Sequence, residues 1–166
     1  MMVQWGGQKS VISIALANWL TDDASYAAAV CEVADPGELQ RFRRTMRLVN
    51  AIIASDVHPD YVVFPELSIP PQWFSSIASK LKKSHISLIA GVEYLHEQGA
   101  VRNQVWCSLM TDVFGFPDAY VVRFEKVHPA IHEEEELRKR AGVKLTSYVQ
   151  QGSREDKPLL VRHGSN

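Results

Sequence analysis

Continuous apolar runs alternate with one-sided apolar stripes along the first half of the chain. Val11–Leu16 (VISIAL) is short and β-branched, which predicts a first strand. The alanine-rich stretch Ala24–Val33 that follows fits either a helical turn or an insertion. Pro36 opens a clear helix. Leu39, Phe42, Met46, Val49 and Ile53 recur three or four residues apart, and Gln40, Arg41, Arg43, Arg44 and Arg47 fill the opposite face. Tyr61–Phe64 is apolar throughout, as a strand buried on both faces must be. Pro70-Pro71 suits the first turn of a second helix, with Trp73, Phe74, Ile77, Ala78 and Leu81 as its apolar face.

Further strands are predicted at Ile86–Val92, at the alternating run Val101–Met110, and at Ala119–Phe124 after a Gly115-Phe116-Pro117-Asp118 turn. Glu133–Arg140 reads as a short helix and Pro158–Val161 as a last strand. Strand, helix, strand, helix and then several strands predict an α/β layered domain. Its first strands pair in parallel through crossovers and its later ones are antiparallel.

Composition narrows the function classes. The chain has 166 residues, enough for one domain with a core, with 46% apolar and 22% charged residues and a net charge of −1. No basic excess points to nucleic acid or an anionic membrane, and the arginine face of the first helix reads as its solvated side. No apolar run is long enough to span a bilayer, and MMVQWGGQKS has no secretory pattern. Cys31 and Cys107 form neither a disulfide framework nor a CxxC site, so a reduced, cytoplasmic protein is expected.

Two charged residues sit where α/β proteins place their chemistry. In PDYVVFPELSIP, Glu66 follows a buried strand, at the edge where open sheets bind ligands. Phe64, Pro65 and Leu67 around it suit a general base, although a turn or helix-entry carboxylate is the plainer role. In RFEKVHP, Lys126 leaves another strand and could hold charge developing on a carbonyl, or could simply be a solvated strand end. Glu133–Glu136 suits a solvated first helical turn, with one member free to turn inward and orient a lysine. His128 and His132 are separated by Pro129, which breaks the helix a metal-binding pair at that spacing needs. Cys107 lies within a predicted strand and reads as a buried structural thiol.

In this order, VISIALANWL, the helix over 37–55, PDYVVFPELSIP, LIAGVEY, VRNQVW, RFEKVHP and HEEEEL resemble the carbon–nitrogen hydrolase (nitrilase) superfamily over about 150 residues. The specific pair is FPEL with EKVHP, 60 residues apart between Glu66 and Lys126. The resemblance implies an αββα sandwich whose members use glutamate, lysine and cysteine. Cysteine attacks a nitrile, amide or carbamoyl carbon, glutamate takes the thiol proton and later activates water, and lysine supports the tetrahedral intermediate.

By motif, Glu66 is the base and Lys126 the lysine. A second, positioning glutamate falls within Glu133–Glu136, at Glu134 or Glu135. No metal or organic cofactor is implied.

The departure is the nucleophile, which in the family follows the lysine. KPLLVRHGSN resembles the approach to that segment, and Cys107 precedes Lys126 and cannot match it. Residues 1–166 are therefore expected to be one nitrilase-like domain, the first half of the fold, truncated on its C-terminal side and inactive alone. A naturally shortened relative is the alternative.

The complete protein would take a small amide- or nitrile-type substrate. This chain would form a homo-oligomer or pair with the missing half, with no membrane or nucleic-acid partner. The competing function is a non-catalytic nitrilase-like binding or assembly module, such as those fused to reverse transcriptases in defence proteins. A third possibility is an unrelated α/β protein in which both motifs are coincidental.

Overall fold

The computed structural model describes residues 11–111 and 118–146, and the expected strand Pro158–Val161 lies outside them. Among the described residues the chain is mixed α/β, with four helices and two mixed sheets. In chain order the elements are β1 (Ile14–Leu16), α1 (Asp23–Cys31), α2 (Glu38–Ile53), β2 (Tyr61–Ile69), α3 (Pro71–Lys82) and β3 (Ser87–Val92). There follow β4 (Leu95–Glu97), β5 (Ala100–Arg102), β6 (Gln104–Thr111), β7 (Asp118–Glu125), α4 (Glu133–Ala141) and β8 (Lys144–Leu145).

The larger sheet has the order β1-β2-β3-β6-β7. β1, β2 and β3 run parallel, and β6 and β7 add antiparallel neighbours. Crossovers and hairpin pairing thus divide the sheet as the hydrophobic pattern predicts. The ambiguous Ala24–Val33 stretch is a helix. The Asp22 side chain caps it by accepting the Ser25 amide at 2.8 Å, which satisfies one of the free donors of the first turn.

α2 and α3 cover one face of this sheet. Val62, Phe64, Leu88 and Ala90 from the strands pack with Val49, Trp73, Phe74, Ile77 and Leu81 from the helices. Each fully buried Val, Ile or Leu here contributes roughly 1.5–3 kcal/mol. Phe42 meets Trp73, and Phe74 meets Trp106, edge to face at 5.2 Å in each pair.

The opposite face is also apolar but is not covered in the same way. Cross-strand partners share a face, which places Ile14, Leu16, Val63, Ile89, Val105 and Phe124 together there. Ile14, Leu16 and Val105 are exposed, and Val63, Ile89 and Phe124 are half-buried.

The smaller sheet has the order β4-β5-β8 and packs with α1 and α4 around Val30, Tyr94, Val101 and Leu137. Its strands β4 and β8 have no counterpart in the sequence pattern, being only three and two residues long.

A buried ion cluster joins α2 to the end of β3. The Arg41 guanidinium bonds Asp35 at 2.6 Å and Glu93 at 2.5 Å. Burial pushes the Glu93 carboxyl up even though Arg41 acts against it. Among the described residues no helix is long and apolar enough to cross a membrane.

Candidate functional site

The site begins with an irregularity in β2. Tyr61–Phe64 pair one to one with Ser87–Ala90, and pairing resumes only at Ile69 with Val92. Pro65–Ser68 therefore stand opposite Gly91 alone and bulge from the sheet. The bulge lies directly on Gly91, where a β-carbon would come 2.4 Å from Glu66 Cα and 2.6 Å from the Pro65 carbonyl. The Ser68 hydroxyl donates to that carbonyl at 2.6 Å, and Leu67 takes a left-handed φ of 55°. This strained turn projects Glu66 outward. The expected strand end after Phe64 is thus a bulge inside a longer strand.

A second irregularity faces it. The alternating run expected as a single strand is broken at Asn103, between β5 and β6. The Asn103 carbonyl accepts the Lys126 amide at 2.8 Å, which seats the lysine just past the end of β7. α4 then starts at Glu133, whose carboxylate accepts the Ala130 amide at 2.7 Å.

These elements bring Glu66 and Lys126, 60 residues apart, into contact. Lys126 Nζ donates to Glu66 Oε1 at 2.9 Å and to Glu133 Oε2 at 2.7 Å. Asn103 Nδ2 donates to Glu66 Oε1 at 2.6 Å and to Glu133 Oε1 at 3.1 Å. The Tyr94 hydroxyl donates to Glu133 Oε1 at 2.9 Å. The Glu66 side chain is 54% exposed, against 25% for Lys126 and 8% for Glu133.

Electrostatics follow from these contacts. Burial alone would raise the Glu133 carboxyl, but donors from Lys126, the Ala130 amide, Tyr94 and Asn103 outweigh it and hold the group below its ordinary value. Burial would lower Lys126, but Glu133 and Glu66 outweigh that and raise it, so the ammonium is retained. Burial, with Glu133 adding to it, pushes the Tyr94 phenol far up and keeps it a donor.

Two cavities meet at this pair, and Glu66 and Lys126 line both. One, of about 430 Å³, opens over the uncovered sheet face among Val63, Ile89, Val105 and Phe124. The other, of about 270 Å³, lies among Tyr26, Leu67, Tyr94, Ile131 and Glu133.

Glu134 and Glu135 are placed differently from the motif-based expectation. Both are exposed, and they line a separate depression with His132, Arg138 and Lys144. The glutamate that meets Lys126 is Glu133. A helical signal for it exists in the sequence: Leu137 is the buried residue of α4, and Glu133 lies one turn before it on the same face. Asn103 lies in VRNQVW, one of the segments that carry the resemblance, where the family often has an asparagine, and Tyr94 had no signal beyond an aromatic near a strand end.

Neither cysteine lines the two cavities. Cys31 is at the exposed end of α1, and Cys107 is buried on β6, where desolvation pushes its thiol up.

No family model matches the sequence, and neither a curated protein nor a solved structure matches it.

Proposed function

We propose that this chain is the base- and lysine-bearing part of a thiol-type carbon–nitrogen hydrolase, a layer of a nitrilase-like αββα sandwich. The observation that carries this is the contact of Glu66 with Lys126, at 2.9 Å across 60 residues of sequence, beside a cavity. Three further features agree with it. Glu133 buttresses the lysine, a strained bulge presents Glu66, and the sheet has one helix-covered and one open apolar face. A second sheet layer closing the open face would complete the sandwich, and it is where the thiol would come from.

In this reaction Glu66 takes the thiol proton and the thiolate attacks the amide carbon. Lys126 steadies the negative charge that forms on the carbonyl oxygen. The C–N bond breaks as the proton on Glu66 passes to the departing amine, which leaves a thioester. Glu66 then takes a proton from water, whose oxygen attacks the thioester carbon; the C–S bond breaks, Glu66 returns that proton to the departing sulfur, and the carboxylic acid is released. Two carboxylates around one ammonium keep Lys126 charged throughout.

The test supplies the thiol from solution. N-(4-nitrophenyl)butyramide is incubated with the chain, with and without 2-mercaptoethanol, and 4-nitroaniline release is followed. Release only with thiol, at least about tenfold above thiol alone and lost in Glu66→Gln and Lys126→Met, is the expected result. No acceleration in the presence of thiol would sink the enzyme proposal. Release without thiol would overturn the inert role of Cys107.

The second function, a non-catalytic binding or assembly module, is favoured by one observation. Neither cysteine lines the two cavities at the cluster, whose charged groups already bond one another. Absence of thiol-dependent turnover is its signature.

A further inference from the structure

Asn103 is a polar side chain, 3% exposed, at the break between two strands, where burial costs free energy unless its groups are bonded. Its bonds are specific. One amide nitrogen faces two carboxylates, with Glu66 Oε1 at 2.6 Å and Glu133 Oε1 at 3.1 Å, so each of its hydrogens has a charged acceptor. The opposite amide orientation would set Oδ1 against both carboxylates, so the nitrogen-inward arrangement is the stable one. The main-chain carbonyl of the same residue holds the Lys126 amide at 2.8 Å. A single residue thus sets the positions of all three charged groups.

The consequence concerns which oxygen of Glu66 is available. Lys126 and Asn103 both bond Oε1, and Oε2 has no partner among the described residues. Lys126 spends two of its three ammonium hydrogens on Glu66 and Glu133 and has the third for a reacting carbonyl oxygen. Asn103 spends both of its amide hydrogens on the two carboxylates and has no duty toward substrate. We propose that Asn103 is the positioning residue of the site. It pins Glu66 through Oε1 beside a lysine that also serves substrate, and leaves Oε2 to receive and return the proton. This rests on Glu66 being the base, but its geometric core can be tested without turnover.

The test is the side-chain amide of Asn103 in the intact chain, observed by ¹H–¹⁵N NMR. Both Nδ2 protons should lie downfield of solvated asparagine and exchange slowly with water. In Glu66→Gln one proton should move upfield and the other stay. In Glu133→Gln the assignments should exchange. A structural asparagine packed at a strand break would show neither response, so unmoved protons in Glu66→Gln overturn the proposal.

In the thiol-supplied reaction, Asn103→Ala should lower kcat about a hundredfold with KM unchanged, because misplacing a base by about an ångström costs that much. If the parent chain gives no thiol-dependent turnover, the enzyme proposal fails, while the NMR result still decides whether Asn103 pins Glu66.

Discussion

Two clusters in this molecule have the same formula, one cation between two carboxylates, and opposite designs. Around Arg41, all three members are buried: side-chain exposures are 8% for the arginine, 12% for Asp35 and 15% for Glu93. Around Lys126, Glu133 is as buried as Arg41, but Glu66 stands largely in solvent beside two cavities. The first cluster ties α2 to the end of β3, and although its three members border a cavity of about 320 Å³, none of its charged side chains is exposed. The second buries one acid to hold the lysine and exposes the other. The charge pattern is shared, so the difference in exposure separates a tie from a site.

Removing the central cation of the closed cluster should have the largest effect on stability. Arg41→Met leaves Asp35 and Glu93 buried without compensation, and the expected loss is about 3–5 kcal/mol in urea unfolding. Adding Asp35→Asn and Glu93→Gln should restore most of it, since the penalty is uncompensated charge and not lost packing. A loss of under about 1 kcal/mol would mean the cluster is solvated and the contrast with Lys126 is false.

Gly91→Ala comes next, at about 1–3 kcal/mol, because its new methyl overlaps the Pro65–Glu66 backbone. Its sharper readout is loss of the NMR contacts between Glu66 and Lys126 while the helix-covered core stays intact. Intact contacts would show that the bulge does not need a bare backbone beneath it.

Glu133→Gln should cost about 1–3 kcal/mol and remove a pH dependence. The folded Glu133 carboxyl is held below its ordinary value. Its contribution is therefore present above the unfolded glutamate range and is lost as pH falls through the folded value. Lys126 is raised, so its contribution holds below the ordinary lysine range and is lost as pH rises through the folded value. Unfolding followed from neutral to acid pH should show a stability loss in the parent that is smaller in Glu133→Gln. Equal slopes would break the view that this acid is the buried anchor of the open cluster.

The helix-covered half was legible because its stripes are long: Phe42, Met46, Val49 and Ile53 declare one face of α2, although Leu39 of the expected stripe is exposed and Arg41 of the expected solvated face is buried in its ion cluster. Glu66 and Lys126 were legible as residues leaving apolar strands. What escaped was local backbone geometry. Pro65–Ser68 and Asn103 sit inside runs whose side-chain pattern continues past them, and a bulge or a one-residue break changes register without changing composition. Four consecutive glutamates also give no contrast among themselves. Only Leu137, four residues after Glu133, carries the phase, and motif resemblance drew the choice to Glu134 or Glu135 instead.

Substitutions at Glu134 and Glu135 test that phase and should have the smallest effect. Both face solvent, Glu135 lies 3.7 Å from an equally exposed His132, and neither bonds Lys126. Exposed pairs of this kind contribute about 0–1 kcal/mol, and losing acids from a first helical turn costs a few tenths more. Glu134→Gln with Glu135→Gln should therefore cost no more than about 1 kcal/mol and leave thiol-dependent turnover unchanged. A drop in turnover would mean that Glu134 or Glu135, and not Glu133, is the inner acid of the working site. The contrast between the two ion clusters would then rest on the wrong carboxylate.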